Sequence, residues 1–137
     1  MAVEQMLCYS KLEQLFHRVY PALRNFPVSE KFAMSQQIKL GFLNSLRGMQ
    51  LANTVKSKRK DYLMEVEAEL LHLNTIFRLC RNQKYLSKGF FEDIDICLTE
   101  IKQLVRGWIR QTISSSKETR AKQKEEFEIK NELELTN

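Results

Sequence analysis

The stretch from Tyr20 to Phe32, YPALRNFPVSEKF, contains both prolines of the 137-residue chain. Pro27 disfavours the helical conformation at Phe26, so a helix that arrives from the N-terminal side has to stop there. Pro21 frees a backbone carbonyl one turn earlier and should kink the end of that helix. We therefore expect a first helix from about Glu4 to Leu23, followed by a corner.

The residues after the corner favour a new helix. Ser29 is a good N-cap residue, and Glu30 falls in the first turn, where a negative charge is favourable. The second helix is expected from about Glu30 to Val55. No further proline follows in the rest of the chain.

Apolar residues at three- and four-residue steps predict four amphipathic helices. The third is expected from about Lys60 to Asn82, and the fourth from about Lys88 to Thr112 behind a Ser87 cap. The predicted core stripes are Tyr9, Leu12, Phe16, Val19, Tyr20 and Leu23; Ile38, Phe42, Leu46 and Met49; Leu63, Val66, Leu70, Leu73, Phe77 and Cys80; and Phe91, Ile94, Leu98, Ile101, Val105 and Trp108.

Four amphipathic helices with short connections predict an all-α fold, an antiparallel up-down four-helix bundle over residues 1–112. Residues 113–137 are mostly charged, and their apolar residues are too sparse for a core. This charged C-terminal tail is either disordered or a helix exposed to solvent.

The second helix is apolar on more than one side, which indicates burial on more than one side. A ribbon of small residues beside its main stripe allows another backbone to come close, and three leucines point to the far side. In a chain this short, a second copy would cover those leucines, and we expect a homo-oligomer. The alternative is that they are exposed singly, as is common on protein surfaces. The small residues are Gly41, Ser45, Gly48 and Ala52, and the interface candidates are Leu40, Leu43 and Leu51.

The sequence offers little for catalysis or metal binding. Glu69 and His72 form one Glu-x-x-His motif, but a di-metal bundle needs two, and this pair does not point together into the core. Single glycines make no phosphate loop, and with two histidines no nucleophilic triad can be argued. We expect neither an enzyme nor a bound cofactor or metal.

The three cysteines are widely spaced and fit reduced residues packed as small apolar groups. No apolar stretch approaches the ~20 residues that cross a bilayer, and the start MAVEQMLCYS does not resemble a secretion signal. The chain is expected to stay in the cytoplasm.

Positive charge is concentrated in the first half, where residues 1–60 hold ten Lys and Arg against three Asp and Glu. Each basic group alone is typical of a solvated surface. Together they indicate a polyanion partner bound through backbone phosphates, because each cation that meets a phosphate releases a counterion. The candidate nucleic-acid-binding residues are Lys11, Arg18, Lys56, Lys58, Arg59, Lys60, Arg78, Arg81, Lys84, Lys88, Lys102, Arg106 and Arg110.

The proline stretch and LVRGWIRQ, residues 104–111, together resemble the accessory variability determinant (Avd) family of diversity-generating retroelements. In that family a Tyr-Pro pair, a second proline and a Gly-x-Trp-Ile or Gly-Gly-Trp-Ile segment frame a four-helix bundle. The resemblance spans about residues 9–112, with Arg106 standing where the second form has its first glycine. The matching residues are Tyr20, Pro21, Pro27, Gly107, Trp108 and Ile109.

The resemblance implies a non-enzymatic homopentamer with a basic surface, which binds the reverse transcriptase of the retroelement and its template RNA. Such proteins help the polymerase to copy the template with errors at adenines. Helical-bundle proteins encoded in ribosomal RNA intervening sequences have a similar outline. The alternative function is therefore an oligomeric adaptor of that type, which binds only protein partners.

Overall fold

The computed structural model describes residues 3–135, with side chains from residue 5 onward; residues 1–2 of the predicted bundle and 136–137 of the predicted tail lie outside that range. The described residues form helices and connections without a strand. The helices are α1 (Val3–Val19), α2 (Val28–Lys31), α3 (Met34–Thr54), α4 (Arg59–Asn82) and α5 (Lys88–Leu135), with 3₁₀ helices at Tyr20–Asn25 and Lys56–Lys58.

A four-helix bundle is formed by α1, α3, α4 and the first half of α5. Each of these helices packs against the next one in the chain, and α5 returns to pack against α1. Cross-helix contacts such as Lys11 with Glu100 and Arg18 with Asp93 run in opposite directions along the two helices, so α1 and α5 are antiparallel. We name the two ends of the bundle by the connections that they contain. The hairpin end holds the turn at residues 55–58, and the corner end holds residues 20–33 and 83–87.

The predicted stripes of α4 and α5 are confirmed, because all twelve of their residues are buried in one core. In α1 the prediction is partly wrong. Cys8 and Leu15 are buried beside Leu12 and Val19, whereas Tyr20 is 44 % exposed. The buried arc of α1 is rotated because the helix is wedged between α3 and α5. Of the residues that flank this arc, Tyr9 accepts a hydrogen bond from Gln50 of α3, and Phe16 stacks on Phe42 with ring centroids 4.7 Å apart.

The corner is more segmented than predicted. Regular α-helix ends at Val19 rather than Leu23, and the chain continues as a 3₁₀ helix with Pro21 near its start. The assignment of Ser29 as an N-cap is wrong, because Pro27 already occupies that position. The Pro27 backbone is extended at ψ 148°, and its carbonyl accepts hydrogen bonds from the backbone of Glu30 at 2.8 Å and Lys31 at 3.1 Å. Ser29 therefore lies inside α2, and the second long helix begins only at residue 34.

The α3–α4 contact is the most extensive in the bundle. All four members of the small-residue ribbon of α3 are buried. A methyl group placed on Gly41 would lie 2.6 Å from Leu73 Cδ2, and one placed on Gly48 would overlap Val66 Cγ2. The buried hydroxyl of Ser45 donates to the Gly41 carbonyl at 2.8 Å, so its polarity is satisfied within α3.

The last helix begins at the predicted N-cap but extends beyond the bundle. Ser87 Oγ accepts the Phe90 N–H at 3.2 Å, which confirms the predicted N-cap. Beyond the expected end near Thr112, α5 continues to Leu135, and residues 114–135 are exposed. At 1.5 Å per residue this extension is roughly 33 Å long. Among the described helices, none has the combination of length and apolar character required to span a bilayer.

Candidate nucleic-acid interface

The hairpin end of the bundle gathers four of the candidate cations at the turn between α3 and α4. Three of them, Lys56, Lys58 and Lys60, are exposed and make no ion pair with any described side chain. Arg59 differs, because its Nε donates to the Ala52 carbonyl at 2.7 Å and its Nη2 to the Asn53 carbonyl at 3.2 Å. These are carbonyls of the last turn of α3, which lack partners within the helix. The guanidinium of Arg59 therefore caps α3.

An open groove of about 840 Å³ lies at this end, between the turn and the point where α5 leaves the bundle. Cations from both sides line it, and Asp61 is the one acidic side chain on the part of its lining that the structure describes. Trp108 also lines the groove; the residue is 5 % exposed, and its buried indole Nε1–H has no hydrogen-bond acceptor in the part of the chain that the structure describes. The lining cations are Lys56, Arg59, Lys60, Lys117 and Arg120.

The corner end carries a second basic group. Arg81 lies 5.2 Å from the ring centroid of Phe91, and Arg78 donates to the Thr75 hydroxyl at 3.2 Å. Lys84 has a φ of 63°, and the hydrogen bonds from its N–H to the Arg81 carbonyl and from the Tyr85 N–H to the Cys80 carbonyl form a Schellman motif. This motif ends α4 and fixes the backbone from which the exposed Lys84 side chain projects.

Three other candidate cations are paired across helix contacts. Lys11 Nζ lies 3.0 Å from Glu100 Oε2, Arg18 Nη2 lies 3.9 Å from Asp93 Oδ2, and Arg106 Nη2 lies 2.6 Å from Glu67 Oε1. Their charges face partners on neighbouring helices and are less available to a polyanion than those at the two ends. The remaining two, Lys102 and Arg110, lie on α5 without an ion pair among the described residues.

The extension of α5 has a polarity that the sequence interpretation missed. Residues 114–124 hold four cations against one acid, and residues 125–135 hold five acids against one cation. The basic half adjoins the groove, so it adds to the positive charge of the hairpin end. The net charge of the whole extension is close to zero, so the basic part is apparent only when the two halves are counted separately. The four cations are Lys117, Arg120, Lys122 and Lys124.

The outward faces of α3 and α4 each carry several exposed apolar side chains. Leu40 and Leu43 are 44 % and 52 % exposed, and Leu51 on the same side is half-buried. On α4 the corresponding residues, at helical spacing, are Met64, Leu71 and Leu79, each about half exposed. Exposed apolar side chains that recur on one side of a helix indicate a surface that another protein can cover, and on α3 the exposed polar residues Asn44 and Arg47 lie between Leu43 and Leu51.

Two of the three thiols, those of Cys8 and Cys80, are buried. Burial raises the pKa of the Cys8 thiol to about 12. Burial, with a smaller contribution from the Glu30 carboxylate, raises the pKa of the Cys80 thiol to about 11. Both thiols are therefore protonated at neutral pH and poor nucleophiles. His72 is exposed while Glu69 is half-buried, and no group of three potential metal ligands occurs within the described part of the chain.

Comparison with known proteins identifies a family and similar solved structures. The model of the family described as bAvd-like matches residues 6–112. A similar solved structure is that of a protein with unknown function from the S23 ribosomal protein family from Bacteroides thetaiotaomicron VPI-5482, which is 18 % identical. That alignment covers 79 % of this chain and 99 % of the other, with a TM-score of 0.71. No curated protein matches the sequence.

Proposed function

The chain belongs to the bAvd-like family, and from that premise we propose that it is a non-enzymatic accessory protein of a diversity-generating retroelement. In this proposal it acts in the cytoplasm, where it binds the reverse transcriptase and the template RNA and supports mutagenic retrohoming. The protein supplies a binding platform, and the polymerase supplies the chemistry.

The observation that carries the RNA-binding part is the concentration of unpaired cations at the ends of the bundle. Lys56, Lys58 and Lys60 at the hairpin end and Lys84 and Lys88 at the corner end are exposed and have no ion-pair partner among the described side chains. A cation without an acidic partner is free to exchange its counterion for a phosphate. Such contacts bind the RNA backbone and carry little sequence information.

The apolar outward faces support a homo-oligomer, which we propose to be a pentamer. The face of α3 and the face of α4 are different surfaces, so a contact between them on neighbouring copies is heterologous, and such contacts form a ring when the rotation closes. A ring also repeats the basic ends of each subunit around one axis. Several modest phosphate-binding surfaces held together bind one RNA far more tightly than each would alone.

A second candidate is an oligomeric adaptor that binds only proteins. The observation in its favour is that Lys11, Arg18 and Arg106 are paired within the bundle, so part of the positive charge serves the fold. The similarity to the S23-family structure shows the shared fold and does not distinguish the two candidates.

The experiment is a filter-binding titration of the purified full-length chain with the template RNA over a range of salt concentrations. We expect log affinity to fall linearly with log salt, with a slope of about −0.7 to −0.9 for each phosphate contacted. The same preparation should form a complex with the reverse transcriptase of the same retroelement in size-exclusion chromatography. A chain that binds the polymerase but no RNA at low salt would support the adaptor, and one that binds neither would refute the proposal.

A further inference from the structure

We propose that the groove at the hairpin end binds the phosphate backbone of RNA, with the basic half of the α5 extension as one of its walls. The inference rests on the RNA-binding part of the proposed function and locates the RNA-binding site in this groove. It adds residues of α5 beyond residue 112, where the match to the family model ends.

Positive charge is concentrated around the groove. Three cations come from the turn and the start of α4, and two come from the extension, so positive side chains face the groove from two directions. Among the described residues that line it, Asp61 is the one acidic residue. Cations brought together in this way repel each other, and an anion between the two walls relieves that repulsion while contacting both. Lys117 and Arg120 are three residues apart on one helix, so both project from the same face.

The groove also holds a hydrogen-bond donor that no described residue uses. The buried indole N–H of Trp108, on the lining of the same groove, has no acceptor among the described residues. A buried donor without a partner is uncommon and costs about 1–3 kcal/mol. A phosphate or ribose oxygen is an acceptor that could satisfy it once the long lysine, arginine and glutamine side chains around it move aside. Trp108 therefore points to a ligand with acceptor oxygens, which agrees with the charge of the walls.

The positions of further basic residues indicate that the ligand is a polymer. Basic residues continue beyond the groove in both directions, with Lys58 on the turn and Lys122 and Lys124 farther along the extension. This track is longer than one phosphate group needs, and the groove is open rather than closed around a small molecule. The acidic residues 125–135 come after the track, where their charge would turn a polyanion away. Repeated phosphates at regular spacing fit this arrangement.

The test compares single charge reversals in the full-length chain. Lys117→Glu and Lys60→Glu, one on each wall, should each weaken binding of a uridine oligoribonucleotide about five- to tenfold at low salt and reduce the salt slope by about 1 to 2. The matched control is Lys130→Glu, which makes the same change on the same helix outside the groove and should alter affinity less than twofold.

Trp108→Phe removes the N–H without changing charge. It should weaken binding roughly threefold, the loss of one neutral hydrogen bond, and leave the salt slope unchanged. Because Trp108 is the only tryptophan of the chain, its fluorescence reports directly on the groove. RNA should change the emission of the unaltered protein and of Lys130→Glu at matched saturation.

The outcomes separate the two proposals. If Lys117→Glu and Lys60→Glu weaken binding no more than Lys130→Glu, or if saturating RNA leaves Trp108 emission unchanged, the groove assignment is wrong while RNA binding stands. If the unaltered chain binds no RNA at low salt, the groove assignment and the RNA-binding part of the proposed function are both wrong.

Discussion

The α3–α4 side of the bundle and the α1–α5 side are held together in different ways. Glycines and other small residues let α3 and α4 approach closely, and their outward faces carry exposed leucines and a methionine. Between α1 and α5, charged side chains bridge the helices, as in the pair of Lys11 and Glu100. The outward faces of α1 and α5 are mainly polar over the described part of the bundle.

The two sides show that residues of one type can have different roles: some leucines are buried while others face outward, and among the described side chains some cations are paired while others are not. On the α3–α4 side the buried contact depends on shape, which leaves the outward leucines without a role within one chain. On the α1–α5 side two of the candidate RNA-binding residues, Lys11 and Arg18, pair with acidic side chains of α5, and Arg106 of α5 pairs with Glu67 of α4. We therefore expect assembly to depend on the first side and RNA binding to depend on the bundle ends.

The largest effect is expected on assembly. Replacing Leu40 and Leu43 together with glutamate places two charges on the proposed interface, where desolvation without a partner is costly. Light scattering should show a fall from an oligomer to the 16.2 kDa monomer. Both side chains are about half exposed in the single chain, so its helicity should be retained.

The control for this comparison is Ile96→Glu on the outward face of α5, where the exposed side chain is also apolar. This variant should assemble as the unaltered chain does. A Leu40 and Leu43 double variant with an unchanged mass would show that the α3 face is not the interface.

Smaller effects, of opposite sign, on the free energy of unfolding are expected when Gly48 and Gly107 are each replaced with alanine. Gly48→Ala forces a methyl group against Val66, whose β-branched side chain has few alternative rotamers, with the Tyr62 carbonyl 3.7 Å away. Overpacking of this kind costs about 1–3 kcal/mol, which should exceed the gain in helix propensity of about 1 kcal/mol. The free energy of unfolding should therefore fall.

The matched substitution, Gly107→Ala, meets no atom within 4 Å in the middle of α5. It should raise the free energy of unfolding by about 0.5–1 kcal/mol through helix propensity alone. Urea denaturation of both variants measures the difference. Equal stabilisation by the two alanines would mean that α3 and α4 are not in close contact at Gly48.

The sequence allowed much of the bundle to be predicted because its core depends on periodicity. The stripes of α4 and α5 are buried as their spacing indicates, and the small residues of α3 lie against α4. The start of the helix after the corner was harder to predict, because Ser29 has the side chain of a good N-cap. The backbone conformation shows that Pro27 is the N-cap residue. The site was hardest. Whether a lysine meets a carboxylate depends on which helices are neighbours, and the pairing of Lys11 with Glu100 joins residues 89 positions apart.

The smallest effect is expected from that ion pair, and it tests the α1–α5 side of the comparison. Lys11 and Glu100 are 37 % and 51 % exposed, so solvent screens their attraction. A double-mutant cycle with Lys11→Ala and Glu100→Ala should give a coupling energy of about 0.2–1 kcal/mol in urea denaturation. Because the charge of Lys11 is matched by a neighbour, Lys11→Ala should also leave RNA affinity within twofold of the unaltered chain. A large loss of RNA affinity without any coupling to Glu100 would place Lys11 in the RNA interface. RNA binding would then not be confined to the ends of the bundle, and the α1–α5 side would not be held by this ion pair.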